Sequence, residues 1–144
     1  MLGVNEIEKE KEFKNIFREY STANPGTSGD NMITVIGNSS LFMIGAHIAH
    51  DCIIGNNVFI GPNATLTNDR HPPSGGKWEP AIVEDDVVIG ANATIVAGVK
   101  LNTGCVIAAG AVVTSDIPSN QVWGGIPAKL LMTREEYNTR RDQH

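Results

Sequence analysis

What the sequence has little of narrows it at once. Among 144 residues only Cys52 and Cys105 are cysteines, too few and too isolated for a disulfide framework or a four-ligand zinc site. Aromatic residues make up 6%, and that scarcity beside 15 glycines points away from a helix bundle. Positive charge is in the minority: 11 Lys and Arg stand against 16 Asp and Glu, a formal net charge of -5. A nucleic-acid partner would need a basic face, so the balance argues against one. No apolar run approaches the ~20 residues of a membrane span, and Glu and Lys are interspersed where a secretory leader would be apolar. The expectation is a cytoplasmic protein with neither a membrane nor a nucleic-acid partner.

What is present is a rhythm. Counting in sixes from Ile36 lands on Phe42, Ile48, Ile54, Ile60 and Leu66, and counting from Val83 lands on Ile89, Ile95, Leu101, Ile107 and Val113. A helix needs apolar residues at three-to-four spacing and a lone amphipathic strand needs strict alternation, so neither explains a sustained period of six. The residue two before each is small or branched: Ala46, Cys52, Val58 and Ala64, then Ala81, Val87, Ala93, Val99, Cys105 and Ala111. Two inward residues separated by one outward residue make a short strand. Glycine often follows the aliphatic, as at Gly37, Gly55, Gly61 and Gly90, with Asn nearby. These types tolerate positive φ, which the corners of a coil need. The pattern predicts an all-β fold, a parallel β-helix of triangular coils, each strand pairing with the one 18 residues on, about 4.8 Å along the axis.

The expected layout is an N-terminal cap segment over 1–32, the β-helix over 33–118 and a C-terminal strand or turn with a helix over 119–144. Between Leu66 and Val83, the segment 68–80 carries Pro72, Pro73, Gly75, Gly76 and Pro80, which cannot continue strands. It is expected to protrude as one loop, and long loops on rigid scaffolds tend to carry function. Thr133 followed by Glu136 predicts a capping box opening a short C-terminal helix. Phe13, Ile16, Phe17 and Tyr20 fit one face of a helix, with extended structure the alternative.

The chemistry concentrates in A-H-I-A-H-D, residues 46–51. With Ala46 and Ile48 inward, alternation turns His47 outward, and His50 falls at a corner, also outside. An exterior imidazole is a plausible proton acceptor at neutral pH; the bland alternative is a solvated histidine. With an 18-residue coil, Asn68 stacks on His50 and Asp69 on Asp51, so the loop leaves from the histidine's corner. Asp51 can orient His50 only if the corner bends the chain, because adjacent strand residues face opposite ways, and its role is ranked below that of His50. Trp78 can stack on a ligand or pack the loop onto its own coil. Trp123 can line a ligand or cover the last coil. Cys52 and Cys105 sit at inward positions and read as core thiols.

These motifs carry a family resemblance. F-R-E-Y-S-T-A-N-P-G-T (17–27) and L-F-M-I-G-A-H-I-A-H-D-C-I-I-G-N-N (41–57) resemble the UDP-N-acetylglucosamine acyltransferases of lipid A synthesis, trimeric left-handed β-helices in which the second histidine of H-I-A-H-D is the general base. The resemblance implies His50 as base and His47 as a substrate contact. H-D-C-I-I-G is also similar to the H-E-C element of bacterial sugar N-acetyltransferases, with the same histidine as base. From Thr65 on, T-N-D-R-H-P, V-V-I-G-A-N-A-T-I-V-A-G-V, A-G-A-V-V-T-S-D-I-P and G-G-I-P-A-K resemble acetyl-CoA-dependent sugar acetyltransferases. That likeness implies coenzyme contacts at Ala91, Ala109, Thr114 and Lys129, and a competing catalytic base at His71.

Together these imply transfer of an acetyl group from acetyl-CoA to an amine or hydroxyl of a sugar or nucleotide sugar, with Asn68, Asp69 and Trp78 as further acceptor contacts. The C-terminal helical domain and several coils of the lipid A enzyme have no counterpart in these residues, which favours acetyl-CoA over a long acyl chain on a carrier protein. The resemblance also implies a homotrimer in which the loop of one chain overhangs the histidine of the next. No metal is expected, since the spacing of His47 and His50 does not match the three-histidine β-helix hydratases. A non-enzymatic scaffold is the remaining rival.

Overall fold

The computed structural model describes residues 14–27 and 33–144. Phe13 and the Glu- and Lys-rich start lie outside them. Fourteen two-residue strands come first. They are β1 (Ile16–Phe17), β2 (Thr22–Ala23), β3 (Val35–Ile36), β4 (Leu41–Phe42), β5 (His47–Ile48), β6 (Ile53–Ile54) and β7 (Phe59–Ile60), then β8 (Thr65–Leu66), β9 (Ile82–Val83), β10 (Val88–Ile89), β11 (Thr94–Ile95), β12 (Lys100–Leu101), β13 (Val106–Ile107) and β14 (Val112–Val113). A hairpin of β15 (Gln121–Gly125) and β16 (Ala128–Thr133) and the helix α1 (Arg134–Asp142) follow.

Strands three apart in order stack in parallel and form three faces. The first contains β1, β4, β7, β10 and β13, extended by β15 and β16; the second contains β2, β5, β8, β11 and β14; the third contains β3, β6, β9 and β12. The coil is a left-handed parallel β-helix. The step is 18 residues in the regular coils, as in Leu41 against Phe59, and shortens to 16 in the last one, where Leu101 pairs with Ile117 and Val106 with Val122. It lengthens twice: Thr22 pairs with His47, 25 positions on, and Thr65 with Thr94, 29 positions on. Both insertions interrupt the same corner, from the second face to the third, between β2 and β3 and between β8 and β9. Protruding segment 68–80 is the second of these.

The large aliphatics stack in one column per face: Phe42, Ile60, Ile89 and Ile107; Ile48, Leu66, Ile95 and Val113; Ile54, Val83, Leu101 and Ile117, each at most 1% exposed. Fully burying each such side chain stabilises the coil by roughly 1.5–3 kcal/mol. The small residues two before them, from Ala46 to Ala111, are buried between the columns.

Two expectations need correction. The coil begins before Ile33: Ile16–Phe17 and Thr22–Ala23 already form its first two sides, and Phe17 stacks on Phe42 with ring centroids 4.4 Å apart and planes at 4°. The glycines after the aliphatics are also not the left-handed positions. Positive φ falls three residues after the aliphatic, as at Asp51 (69°), Asn63 (57°) and Asn92 (57°). Gly90 is small for a different reason: a Cβ there would lie 2.5 Å from the backbone nitrogen of Ala109 on the next coil, so stacking distance, not backbone freedom, selects it.

The C-terminal end closes as the capping box predicts. Thr133 caps α1 by accepting from the Glu136 N–H, and Glu136 accepts from the Thr133 N–H at 2.8 Å. Trp123 pairs in register with Ile107 and packs against the core, so it covers the last coil.

Candidate active site

The corner after β5 carries His50 and Asp51. Ile48 is anchored in the second-face column, and the chain leaves the face through Ala49 and His50 and turns at Asp51, whose φ is 69°. In a flat strand the two neighbouring side chains would diverge; the left-handed residue folds the carboxylate back. His50 Nδ1 and Asp51 Oδ2 are 2.6 Å apart. Asp51 is therefore tied directly to His50, a closer relation than alternation along the strand allowed. Its side chain is 1% exposed, while that of His50 is 21% exposed. Nε2 of His50 has no hydrogen-bond partner among the described residues.

Asp51 is held from the first insertion. The Thr27 N–H donates to Oδ1 at 2.8 Å and the Thr27 hydroxyl to Oδ2 at 3.1 Å. The Asp51 N–H donates to the Thr34 hydroxyl at 2.8 Å, which in turn donates to the carbonyl of Asn24 at 2.6 Å. Burial pushes the Asp51 carboxyl up, but the hydrogen bonds from His50 and Thr27 outweigh it and leave the group below the usual carboxylate range.

From the other side comes the second insertion. Asn68, 8% exposed, donates to the carbonyl of His50 at 3.1 Å, so it does stack on that coil. Trp78 sets its indole against the imidazole, ring centroids 4.8 Å apart and planes at 88°. The arm thus meets the histidine of its own chain, whereas the resemblance implied an overhang on a neighbour. Its ends are joined, since the Glu79 N–H donates to the Asn68 carbonyl at 2.7 Å. Asp69 serves the arm itself, accepting from the backbone N–H groups of His71 (3.1 Å) and Ser74 (2.9 Å), and hydrogen bonding to Ser74 holds its carboxyl below the usual range. His71 is exposed on the arm, and among the described residues no partner orients its ring. His47 points outward on the second face, Nδ1 at 2.7 Å from the Thr22 hydroxyl.

The remaining predicted residues are spread more widely. Thr114 follows β14 on the same corner as His50, three coils along, and its carbonyl accepts from the Arg70 guanidinium at 3.4 Å. Ala91 and Ala109 lie on the corner between the first and second faces, where the Gly110 N–H donates to the Ala91 carbonyl at 2.8 Å. Lys129 is exposed on β16, paired with Gly124, and has no ion-pair partner among the described residues. One chain therefore brings His50, Asp51, Asn68 and Trp78 together and leaves Ala91, Ala109 and Lys129 elsewhere. The sequence reading passed over Thr27, Thr34 and Arg70. A signal for Thr27 existed, since it ends the N-P-G-T element.

Two family models match the chain: the six-repeat bacterial transferase hexapeptide over residues 33–68 and the hexapeptide repeat of succinyl-transferase over residues 80–115. The acyl-[acyl-carrier-protein]–UDP-N-acetylglucosamine O-acyltransferase of Paracoccus denitrificans is 38% identical over 104 residues, 72% of this chain and 36% of the relative. The 2,3,4,5-tetrahydropyridine-2,6-dicarboxylate N-acetyltransferase of Staphylococcus aureus is 46% identical over 82 residues, 57% of this chain and 33% of the relative. The chain thus spans about one third of the length of these curated relatives. Among solved structures, a hexapeptide-repeat acetyltransferase of Vibrio cholerae in complex with acetyl coenzyme A superposes with a TM-score of 0.62 at 26% identity, over 84% of this chain and 71% of that one. Repeat, coil and relatives agree: this chain belongs to the hexapeptide-repeat acyltransferase family.

Proposed function

We propose that the protein transfers an acetyl group from acetyl-CoA to an amine or hydroxyl of a sugar or nucleotide sugar, with His50 as general base. The observation that carries this reading is the 2.6 Å contact of His50 Nδ1 with a buried carboxylate, which leaves Nε2 open. A proton on Nδ1 is fixed by Asp51, so the lone pair on Nε2 faces the acceptor. Nε2 takes the proton of the acceptor N–H or O–H as that atom attacks the thioester carbonyl carbon. The carbon–sulfur bond then breaks, and the imidazolium returns its proton to the departing thiolate of coenzyme A. No covalent enzyme intermediate forms. Asp51 holds the ring and stabilises its transient charge. His71, on an exposed arm with no group orienting its ring, is the weaker base.

Residues for the coenzyme suit a thin, anionic ligand. Ala91 and Ala109 present a wall with nothing beyond a Cβ, and the exposed ammonium of Lys129 suits phosphates. Because they lie away from His50 in one chain, the reading includes a homotrimer whose neighbouring corners complete each site. The exposed apolar column Val35, Ile53 and Ile82 on the third face suits such packing. Sugar acceptors are favoured by the Paracoccus relative, an acyltransferase acting on UDP-N-acetylglucosamine, and His47, Asn68, Asp69 and Trp78 are the acceptor contacts in this reading.

The same relative supports a second reading, in which the donor is an acyl-carrier protein. Incubating the protein with acetyl-CoA or an acyl-carrier thioester and a panel of sugars and nucleotide sugars separates the two. Acceptor-dependent release of free coenzyme A is expected, falling by about 10²- to 10⁴-fold in H50A and persisting in H71A. Release lost only in H71A makes His71 the base. No release, together with no heat of coenzyme A binding, leaves a scaffold.

A further inference from the structure

The two insertions that lengthen the coil stand on either side of one uninterrupted corner, and that corner carries His50 and Asp51. The upper insertion contributes a ring; the lower one contributes hydrogen bonds. Thr27 reaches across 24 positions to hold both oxygens of the Asp51 carboxylate, its N–H on Oδ1 at 2.8 Å and its hydroxyl on Oδ2 at 3.1 Å. Oδ2 is also the oxygen that faces His50 Nδ1.

We infer that Thr27 is a positioning residue of the dyad: its clamp fixes the plane of the Asp51 carboxylate, and through it the tautomer and orientation of the His50 ring. This role rests on His50 as the base. A carboxylate on a short side chain can rotate about its last bond, because sp³–sp² torsions are broad. With Asp51 buried, no water competes to hold it, so the second oxygen needs a protein donor. The backbone N–H of Thr27 supplies that donor whatever side chain stands at the position. The hydroxyl is the part the sequence chose, and it places a second donor on Oδ2, opposing rotation of the group away from Nδ1. Thr34 fixes the backbone of the same residue through its hydroxyl at 2.8 Å, so the carboxylate is held at both ends.

The test reads the ring itself. In the ¹⁵N-labelled full chain, long-range proton–nitrogen correlation at a pH where His50 is neutral is expected to find the proton on Nδ1 and a bare Nε2. T27V removes the hydroxyl at nearly constant shape and is expected to mix in the opposite tautomer, while T27S restores the wild-type spectrum; T27A serves where T27V does not fold. In turnover, T27V and T27A are expected to lower kcat by about 10-fold with KM unchanged, the effect of one hydrogen bond to a charged group. A wild-type ring protonated on Nε2, or a T27V ring with the wild-type tautomer, overturns the assignment. If the tautomer responds as stated but no acceptor is ever acetylated, the transferase reading fails while the clamp stands.

Discussion

Trp78 and His50 pack their rings perpendicular to one another, centroids 4.8 Å apart and planes at 88°. An edge-to-face pair of this kind is worth about 0.5–1.5 kcal/mol beyond area burial, and it covers one side of the imidazole. Replacing Trp78 by Ala is expected to lower kcat/KM by about 3- to 10-fold, with the melting temperature little changed because the arm is outside the core columns. Steady-state kinetics beside a thermal melt checks both; a large loss of stability would mean that the arm packs the coil and does not shape the site.

Asp51 links stability to pH. Burial raises its carboxyl, the bonds from His50 and Thr27 lower it further, and the net value lies below the unfolded one. A carboxyl depressed on folding contributes stability that is fully present above the unfolded pKa of about 3.9 and is lost as pH falls through the folded value. D51N is expected to flatten that part of the melting-temperature profile and, by leaving Nδ1 of His50 without a carboxylate partner, to lower turnover by about 10²-fold or more. A D51N profile that still falls as steeply below pH ~4 would place the linkage elsewhere.

The thiols should be inert in the folded protein. Burial pushes Cys52 up to about 11 and Cys105 up to about 12, and both are 0% exposed. The nucleophile in thiol chemistry is the thiolate, so a disulfide reagent at neutral pH is expected to modify neither until denaturant unfolds the coil. Rapid labelling of the native protein would contradict the packing described.

Gly90 and Asn92 test the two reasons behind the corner residues. G90A drives a Cβ to within 2.5 Å of the Ala109 nitrogen and is expected to cost about 1–3 kcal/mol through overpacking. N92A places alanine at a φ of 57°, costing roughly 1–2 kcal/mol in backbone strain. N92G should be neutral or stabilising, because glycine removes that strain. Urea midpoints of the three variants separate the effects; a neutral G90A would show that successive coils can part at that corner.

Much of this was legible in the residues themselves. The aliphatics from Phe42 to Val113 announced the columns because a period of six is local: each strand needs only its own inward pair. The capping box at Thr133 and Glu136 is local too, spanning three residues. The start of the coil was not legible, because the insertion after β2 shifts Phe17 out of register with Phe42 and hides the stacked rings. Alternation left the contact of Asp51 with His50 conditional on a bend at the corner, and the left-handed φ of Asp51 is that bend, which the strand rule cannot supply.

The order of the residues, then, determined the triangular coil, its buried columns and the histidine on its outer wall, since each follows from which neighbours face inward. The same repeat put Asn68 and the start of the loop at the histidine's corner, but only the tertiary structure decided which side chains of the two insertions reach His50 and Asp51. Thr27 reaches Asp51 and Trp78 reaches His50 because two insertions of different length leave from the same corner one coil below and one coil above. The repeat fixes where an arm leaves the coil, but contacts across 24 and 28 positions depend on how each arm folds back, which lies outside the repeat.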